Sequence, residues 1–140
     1  MPLLYPADMP ELPSWRIGPV LGVRDVKKAV AYYTDILGFE CPGGIFEGAA
    51  PGEGGVYAVV RRQEIEIHLQ IRRRDVYAGA REDIESDIYV FVEDAEALCQ
   101  EFEAKGAVIL RGVQDEPYGL RDFVVEDPEG HRLVFGTPLG

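Results

Sequence analysis

The sequence predicts an α+β fold built from two similar βαβββ modules, and three observations lead to this prediction. Residues 19–38 and 88–106 repeat one pattern, in which a short apolar strand and an aspartate precede an amphipathic helix and a glycine. Strand patterns follow each helix. The 140 residues are enough for one domain with a buried core. We therefore expect eight strands and two helices, with a curved mixed sheet whose concave cleft lies opposite the helices.

Both predicted helices have start and stop signals. Asp25 and Asp94 precede the helical patterns, where an aspartate can accept a hydrogen bond from a free backbone N–H of the first turn. Gly38 and Gly106 follow the patterns and can adopt the left-handed conformation that ends a helix. The apolar residues recur at helical spacing, so each helix has one face for packing. These residues are Val26, Ala29, Val30, Tyr33 and Leu37 in the first helix and Ala95, Leu98, Cys99 and Phe102 in the second.

The strands that follow the helices are predicted from apolar and β-branched stretches bounded by turn residues. Residues 46–55 are rich in Gly and Ala and are predicted to form a loop. Asp127-Pro128-Glu129-Gly130 suits a type I turn. The predicted strands cover residues 56–60 and 64–71 in the first module and 108–110, 122–126 and 132–135 in the second.

We expect a single domain over residues 1–140, with an extended arm at 1–15 and modules at 16–75 and 84–140. The arm lacks the basic start and continuous apolar stretch of a signal peptide, and no stretch has the length of a membrane span. Neither Cys41 nor Cys99 belongs to a CxxC motif. A cytoplasmic protein with reduced thiols is therefore expected.

The net charge of −11 narrows the classes of partner. Arg72-Arg73-Arg74 is the sole basic cluster in the sequence, so nucleic acid is not expected as a partner. An acidic protein attracts cations, which slightly favours a cationic ligand over an anionic one, although acidity is also a common route to solubility. The sequence contains no P-loop, GxSxG, HExxH or Rossmann glycine motif.

Two segments resemble the vicinal-oxygen-chelate superfamily, which includes glyoxalase I, extradiol dioxygenases and bleomycin-resistance proteins. Residues 19–39, with the sequence PVLGVRDVKKAVAYYTDILGF, resemble the opening of these proteins. Residues 118–136, with the sequence YGLRDFVVEDPEGHRLVFG, resemble their closing hairpin. Together with the repeat, this resemblance implies the glyoxalase/bleomycin-resistance fold over almost the whole chain after the arm. It leaves the activity open, because one fold hosts many functions.

The resemblance also indicates where a metal would be held. Metal-dependent members of the superfamily bind a divalent ion through His, Glu or Gln on the first and last strands of each half. Those positions fall on Gly18, Glu66, Asp87 and Val134 of this sequence. Gly18 and Val134 provide no ligand atom, so no cofactor is expected. A divalent metal held by Glu66, His68 and Asp87 is the minority alternative.

The strand predicted at residues 64–71 carries the main candidate site. Its residues alternate strictly, so Glu66 and His68 share one face while isoleucines and leucine occupy the other. The polar face could line a cleft or face bulk water. Glu66 and His68 could ligate a metal, act as an acid/base pair or hydrogen-bond a ligand. They are the candidate catalytic residues and also candidate ligand-binding residues.

Aromatic residues could extend this site. Asp87, Tyr89 and Phe91 lie on one side of the first strand of the second module, and Tyr57 could join them. Aromatic rings offer planar ligands a stacking surface, although a second small core would use the same residues.

Four further residues complete the candidates. Tyr118 and Arg121 precede the final hairpin, where Arg121 could bind a carboxylate or phosphate or form a surface ion pair. His131 is predicted to be exposed and to have no role, and Trp15 to pack against the fold.

Three functions follow from these residues. The preferred hypothesis is a homodimer of the bleomycin-resistance type, which the resemblance implies to hold a small molecule between subunits without turnover; exchange of modules between subunits stays open. The second is a metal-dependent lyase, isomerase or dioxygenase of the same superfamily that uses Glu66. The third is a metal-free enzyme with Glu66 or His68 as acid or base.

Overall fold

The computed structural model describes residues 15–48, 54–73 and 85–140. The chain divides into two compact units between residues 75 and 76. The predicted arm, apart from Trp15, and residues 74–84 around the boundary between the predicted modules lie outside the described residues.

The described residues of the first unit form one α-helix, one π-helical segment and four strands. Its elements are β1 (Val20–Val23), α1 (Val26–Ala31), a π-helical segment (Tyr32–Ile36), β2 (Ile45–Phe46), β3 (Tyr57–Arg62) and β4 (Ile65–Ile71). The strands form a sheet in the order β1-β4-β3-β2. β1 runs parallel to β4, and the other neighbouring pairs are antiparallel.

The second unit repeats this arrangement. Its elements are β5 (Ile88–Phe91), α2 (Ala95–Ala104), β6 (Val108–Asp115), β7 (Leu120–Glu126) and β8 (Arg132–Pro138), with the strand order β5-β8-β7-β6. The α+β class and the two βαβββ modules are therefore confirmed. The described strands form two four-stranded sheets, where one curved sheet was predicted, because the hydrogen-bonded ladders join strands of the same unit. The predicted concave cleft stays a prediction.

Local signals define the helix ends as predicted. The carboxylates of Asp25 and Asp94 accept backbone N–H groups three residues further on, at 3.0 Å in each case. Gly38 and Gly106 have φ angles of 75° and 89°. One feature was not predicted: α1 continues as a π-helical segment in which the N–H of Leu37 donates to the carbonyl of Tyr32. The predicted helix therefore has the expected extent with a wider last turn.

Each helix packs on one face of its own sheet. In the second unit the rings of Phe102, Phe123 and Phe135 lie with centroids 5.3 to 6.0 Å apart and form the centre of the core. In the first unit Tyr33 is fully buried and makes an edge contact with Phe39. Because side chains alternate along a strand, the residues between these core positions project from the opposite face of each sheet.

The strands differ from the prediction mainly in extent. A two-residue strand, β2, begins just before the predicted loop at 46–55, because Ile45 and Phe46 pair with the start of β3. β6 runs on to Asp115, well beyond the predicted residues 108–110. No described helix has the length and apolar character that crossing a membrane requires.

His131 corrects another expectation, because it is buried rather than exposed. The Asp127 carboxylate accepts the backbone N–H groups of Glu129 and His131, each at 2.9 Å. These two bonds fold the predicted turn tightly. The His131 ring consequently lies with Nδ1 3.9 Å from an Asp87 carboxylate oxygen at the start of β5.

Candidate functional site

Four polar side chains of the first unit form one continuous hydrogen-bonded chain, which we call the Glu66 chain. Arg16 donates from Nη2 to Glu66 Oε1 at 3.1 Å. The other oxygen, Oε2, lies 2.8 Å from His68 Nε2, and His68 Nδ1 lies 2.6 Å from the Tyr57 hydroxyl. Three of the predicted site residues, Tyr57, Glu66 and His68, are therefore brought together, and Arg16 joins them.

The strand register explains this arrangement. In the antiparallel pair β3 and β4, His68 lies opposite Val59 and Gln70 lies opposite Tyr57. Tyr57 and His68 are thus diagonal neighbours on one face, within reach of long side chains. Their rings meet edge to face with centroids 5.5 Å apart. Glu66 is two residues from His68 on the same strand and therefore points the same way.

Gly18 makes room for the bond between Glu66 and His68. A Cβ atom at this position would lie 2.9 Å from both Glu66 Oε2 and His68 Nε2, closer than real Cβ contacts. From the sequence, Gly18 appeared as a metal-ligand position without a side chain. In the structure, the missing side chain is what allows the carboxylate and the imidazole to meet beside β1.

The electrostatics of the chain fix its protons. Glu66 is buried, with 8% of its surface exposed, and its carboxylate is compensated by the Arg16 guanidinium. Burial, and then the negative charge of Glu66, raise the pKa of Tyr57, so its hydroxyl stays protonated at neutral pH. Because a carboxylate can only accept, Nε2 of His68 carries a hydrogen and donates it to Glu66.

The candidate metal ligands are engaged by protein groups. Both carboxylate oxygens of Glu66 and both ring nitrogens of His68 contact other side chains of the Glu66 chain. In the second unit, Asp87 accepts the backbone N–H of Arg132 at 2.9 Å. Within residues 15–48, 54–73 and 85–140, no three His, Cys, Asp or Glu side chains are grouped so that they could hold one metal ion.

The ladders also refine the positions that the resemblance indicated. In the repeat, Val20 corresponds to Tyr89, and these residues lie opposite His68 and Val134 respectively. Val134 is therefore equivalent to His68. Glu66, two residues earlier on β4, has its equivalent at Arg132 of β8. The resemblance placed the last-strand ligand positions at Glu66 and Val134. These two positions are not equivalent in the repeat, because they differ by two residues in register.

The second unit has a different polar group, which we call the Asp122 cluster and which consists of Asp122, Arg111, Tyr89, Tyr118 and Glu116. Asp122 is fully buried and accepts Arg111 Nη2 at 2.6 Å on Oδ1. Its Oδ2 accepts the hydroxyl of Tyr89 at 2.9 Å and lies 3.5 Å from that of Tyr118. Arg111 Nη2 also lies 3.4 Å from Glu116 Oε1.

Gly136 allows Tyr89 to reach Asp122. The two residues lie on β5 and β7, which are separated by β8. A Cβ atom at Gly136 would overlap the Tyr89 hydroxyl and lie 3.1 Å from the Asp122 Cβ. The pKa of Tyr89 is strongly raised, first by burial and then by its hydrogen bond to Asp122, so this hydroxyl also stays protonated.

The sequence did not single out Asp122 or Arg111. The sequence did contain one signal for Asp122. An aspartate in the strand pattern of residues 120–126 would be costly to bury without a partner, which indicates that a partner is present. The identity of its partners required the strand pairing of β6 and β7.

The remaining site candidates are placed as follows. The rings of Tyr89 and Phe91 lie with centroids 5.1 Å apart, and Phe91 and Tyr118 are 68% and 66% exposed. Arg121 pairs with Asp115 at 2.6 Å, so the surface ion pair is the alternative that the structure shows. Arg121 lies on the same face of β7 as Phe123, and Asp122 lies on the other face.

Trp15 differs from its expected role. Its side chain is 99% exposed, so the prediction of a packing residue is wrong within the described part of the chain.

Comparison with solved structures gives a consistent fold. TioX from Micromonospora sp. ML1 is 23% identical, with the match covering 89% of this chain and 100% of that chain at a TM-score of 0.67. The bleomycin-binding protein of bleomycin-producing Streptomyces verticillus, solved with copper(II)-bleomycin, is 28% identical, with 89% and 97% covered and a TM-score of 0.66. A glyoxalase-related enzyme from Clostridium phytofermentans is 20% identical, with 89% and 95% covered and a TM-score of 0.69.

No curated protein matches the sequence. The model of the Glyoxalase/Bleomycin resistance protein/Dioxygenase superfamily matches residues 16–135, which include both βαβββ units. The chain therefore belongs to the glyoxalase/bleomycin resistance protein/dioxygenase superfamily.

Proposed function

We propose that this protein binds a small organic molecule and does so without a metal ion. The observation that carries the proposal is the Glu66 chain, in which the two best metal-ligand candidates, Glu66 and His68, are bonded to each other and to Arg16 and Tyr57. A metal would have to displace these partners, including the charge-assisted bond to Arg16. Gly18 would contribute no ligand atom in return.

The Glu66 chain is suited to hold polar groups of a ligand. The Tyr57 oxygen can accept a further hydrogen bond and Arg16 is 39% exposed, so a ligand would meet polar groups that the chain already orients, which lowers the entropy cost of binding. The bleomycin-binding protein of Streptomyces verticillus, at 28% identity, supports a binding role. The proposal includes a homodimer located in the cytoplasm. Size-exclusion chromatography with light scattering would measure the mass of this dimer.

The metal part of the proposal is tested by elemental analysis of protein purified without chelator. We expect less than stoichiometric zinc, iron, manganese or nickel in the wild type. Glu66→Ala is compared with Glu64→Ala, which removes an exposed carboxylate just before β4. Stoichiometric metal that is lost in Glu66→Ala but kept in Glu64→Ala would contradict the proposal and favour a metal-dependent enzyme.

The binding part is tested by a thermal-shift screen of planar, polar and charged small molecules, followed by calorimetry of the hits. We expect affinity that EDTA does not change, and that Glu66→Ala lowers while Glu64→Ala does not. A screen without hits, or hits that lose their affinity with EDTA, would contradict the proposal.

A metal-free acid/base enzyme is the second candidate, and one observation favours it. His68 lies between a carboxylate at 2.8 Å and a phenol at 2.6 Å, which is how a carboxylate orients a catalytic imidazole. Incubating each hit with stoichiometric protein and analysing it by mass spectrometry separates the two functions. A binding protein returns the ligand unchanged, whereas an enzyme changes it with a pH profile that collapses in Glu66→Ala.

A further inference from the structure

We infer that the second unit carries a site for planar organic cations, formed by the rings of Tyr89, Phe91 and Tyr118 beside the Asp122 carboxylate. This inference rests on the proposed small-molecule binding and names a class of ligand for the second unit, whose site shares no residue with the Glu66 chain. The class meant is an aromatic ring system whose positive charge is delocalised, such as a quaternised nitrogen heterocycle.

The first observation is the exposure of the rings. Phe91 and Tyr118 are 68% and 66% exposed, although burial of such large apolar side chains is favourable. Phe91 lies beside Tyr89 on the face of β5 opposite to the buried Val90. These rings are therefore not part of the core that α2 covers, and they offer flat apolar surface to a ligand.

The second observation is the charge beneath the rings. Asp122 and Glu116 contribute two negative charges and Arg111 one positive charge, which leaves the Asp122 cluster at −1. The Tyr89 hydroxyl donates a hydrogen bond to Asp122. A phenol that is hydrogen-bonded to a carboxylate has more electron density on its ring. A cation above such a ring is attracted by the negative ring face. The net charge of −11 also attracts cations to the protein at long range.

The third observation explains why the charge of the ligand should be delocalised. The oxygens of Asp122 are occupied by Arg111 and Tyr89, and the carboxylate is fully buried. A ligand would therefore meet ring faces and not a free carboxylate. A compact ammonium ion would lose its hydration without gaining a direct anionic partner, whereas a planar cation is weakly hydrated and stacks.

The test uses N-methylquinolinium as the probe and isothermal titration calorimetry with two-dimensional amide NMR as the readouts. The comparison compounds are neutral quinoline, the planar anion 2-naphthoate and the compact, strongly hydrated cation methylammonium. We expect N-methylquinolinium to bind about fivefold more tightly than each of the other three, because it alone combines a flat ring system with a positive charge. Amide shifts should centre on β5 and on the segment around Tyr118.

The variants locate the site. Phe91→Ala and Tyr118→Ala should each raise the Kd of N-methylquinolinium about fivefold or more. Tyr89→Phe keeps the ring and removes the hydroxyl, so its effect should be smaller but measurable. Val108→Ala is the matched control, because it removes an exposed apolar side chain on β6 of the same unit. Circular dichroism checks that each variant is folded.

Each contrary result has a distinct meaning. Equal binding of quinoline or 2-naphthoate through Phe91 and Tyr118 would overturn the cation class and leave small-molecule binding intact. Hits in the thermal-shift screen that do not respond to Phe91→Ala or Tyr118→Ala, with no binding of N-methylquinolinium, would overturn this site alone. A change of oligomeric state in these variants without a change in Kd would show a subunit interface and overturn the inference. A screen without any hit would defeat the proposed function as well.

Discussion

The two units place different side chains at equivalent positions of the same sheet face. In the first unit Val20 of β1 lies opposite His68 of β4, and in the second unit Tyr89 of β5 lies opposite Val134 of β8. The polar side chain therefore belongs to the last strand in one unit and to the first strand in the other. In each case an aliphatic residue faces it across the parallel pair.

The next pair of equivalent positions shows the same exchange. Tyr57 lies opposite Gln70 in the first unit, and Asp122 lies opposite Gly136 in the second. A tyrosine thus occupies the position that holds an acid in the other unit. Because Gly136 has no side chain, Tyr89 can cross β8 and meet Asp122, whereas the tyrosine of the first unit meets His68 of the neighbouring strand.

These differences give the units different chemistry on one scaffold. The Glu66 chain holds the His68 imidazole between a carboxylate and a phenol, and it suits hydrogen bonding. The Asp122 cluster pairs a fully buried acid with the half-buried Arg111 and has exposed rings at its edge, and it suits stacking and cation binding. The two units therefore share their strand order, while the polar groups on their faces differ because of two or three residue differences at equivalent positions.

The largest expected difference between the units is in stability. Asp122→Ala should lower the free energy of unfolding by about 3 kcal/mol, because it leaves the Arg111 guanidinium and the Tyr89 hydroxyl without their buried acceptor. Glu66→Ala should cost less, about 1–2 kcal/mol, because its partner Arg16 is 39% exposed and can turn to water. Urea denaturation followed by circular dichroism measures both values.

Asp115→Ala is the control for this comparison, since it removes an exposed carboxylate from the ion pair with Arg121 on the neighbouring strand. It should leave the free energy of unfolding unchanged within error. Equal losses for Asp122→Ala and Glu66→Ala would show that the two acids are equivalent in energy and would contradict the comparison.

The second difference concerns the two glycines that allow the polar groups to meet. Gly136→Ala should cost about 2 kcal/mol, because the new methyl group overlaps the rigid Tyr89 ring. Gly18→Ala should cost about 1 kcal/mol, since it meets only the ends of Glu66 and His68, which can turn aside. Urea denaturation measures both, and Tyr89→Leu should restore part of the stability of Gly136→Ala. A larger loss for Gly18→Ala would reverse the expected order.

Much of the fold was predictable because its signals are local. Asp25 caps a helix through a backbone N–H three residues away, and Gly38 ends the helix through its own φ angle. The alternation in β4 placed Glu66 and His68 on one face without knowledge of any other strand. Such features depend on neighbouring residues, so the sequence is sufficient to find them.

The rest depends on partners that are distant in sequence. Asp122 receives Arg111 from 11 residues away and Tyr89 from 33 residues away, and neither contact has a signature in the chain. His131 was expected to be exposed because it follows a turn, but Asp127 folds that turn back against β5. Gly136 was read as part of a motif, while its role follows from the crossing of Tyr89 over β8.

A third difference should appear only in alkaline solution. The pKa values of Tyr89 and Tyr57 are both raised by burial, and that of Tyr89 also by its bond to Asp122. Between the unfolded pKa, about 10, and the higher folded value, the folded state holds more protons, so the free energy of unfolding falls as pH rises. Below pH 10 this contribution is fully present.

Urea denaturation at several pH values between 9 and about 11.5 measures this loss. We expect a shallower decline in Tyr89→Phe than in the wild type, and an intermediate one in Tyr57→Phe, because the raised pKa of Tyr57 has no hydrogen bond to an acid among its causes. Absorbance at the tyrosinate band should show the matching loss of a late-titrating hydroxyl. Identical declines in all three proteins would show that neither phenol is coupled to folding.

The smallest effect is expected for Arg16→Ala, which sharpens the comparison between the two arginines. Arg16 is 39% exposed and holds Glu66 at 3.1 Å, whereas Arg111 holds a fully buried acid at 2.6 Å. Loss of a partly exposed pair should cost below about 1 kcal/mol, and the cost should shrink between about 0.1 and 1 M salt as the pair is screened. Urea denaturation at both salt concentrations measures this, with Arg73→Ala as the control for removing one exposed positive charge.

If Arg16→Ala costs as much as Asp122→Ala at every salt concentration, the first unit also depends on a buried ion pair. The distinction between a hydrogen-bonded face in the first unit and an ion-paired face in the second would then have to be abandoned.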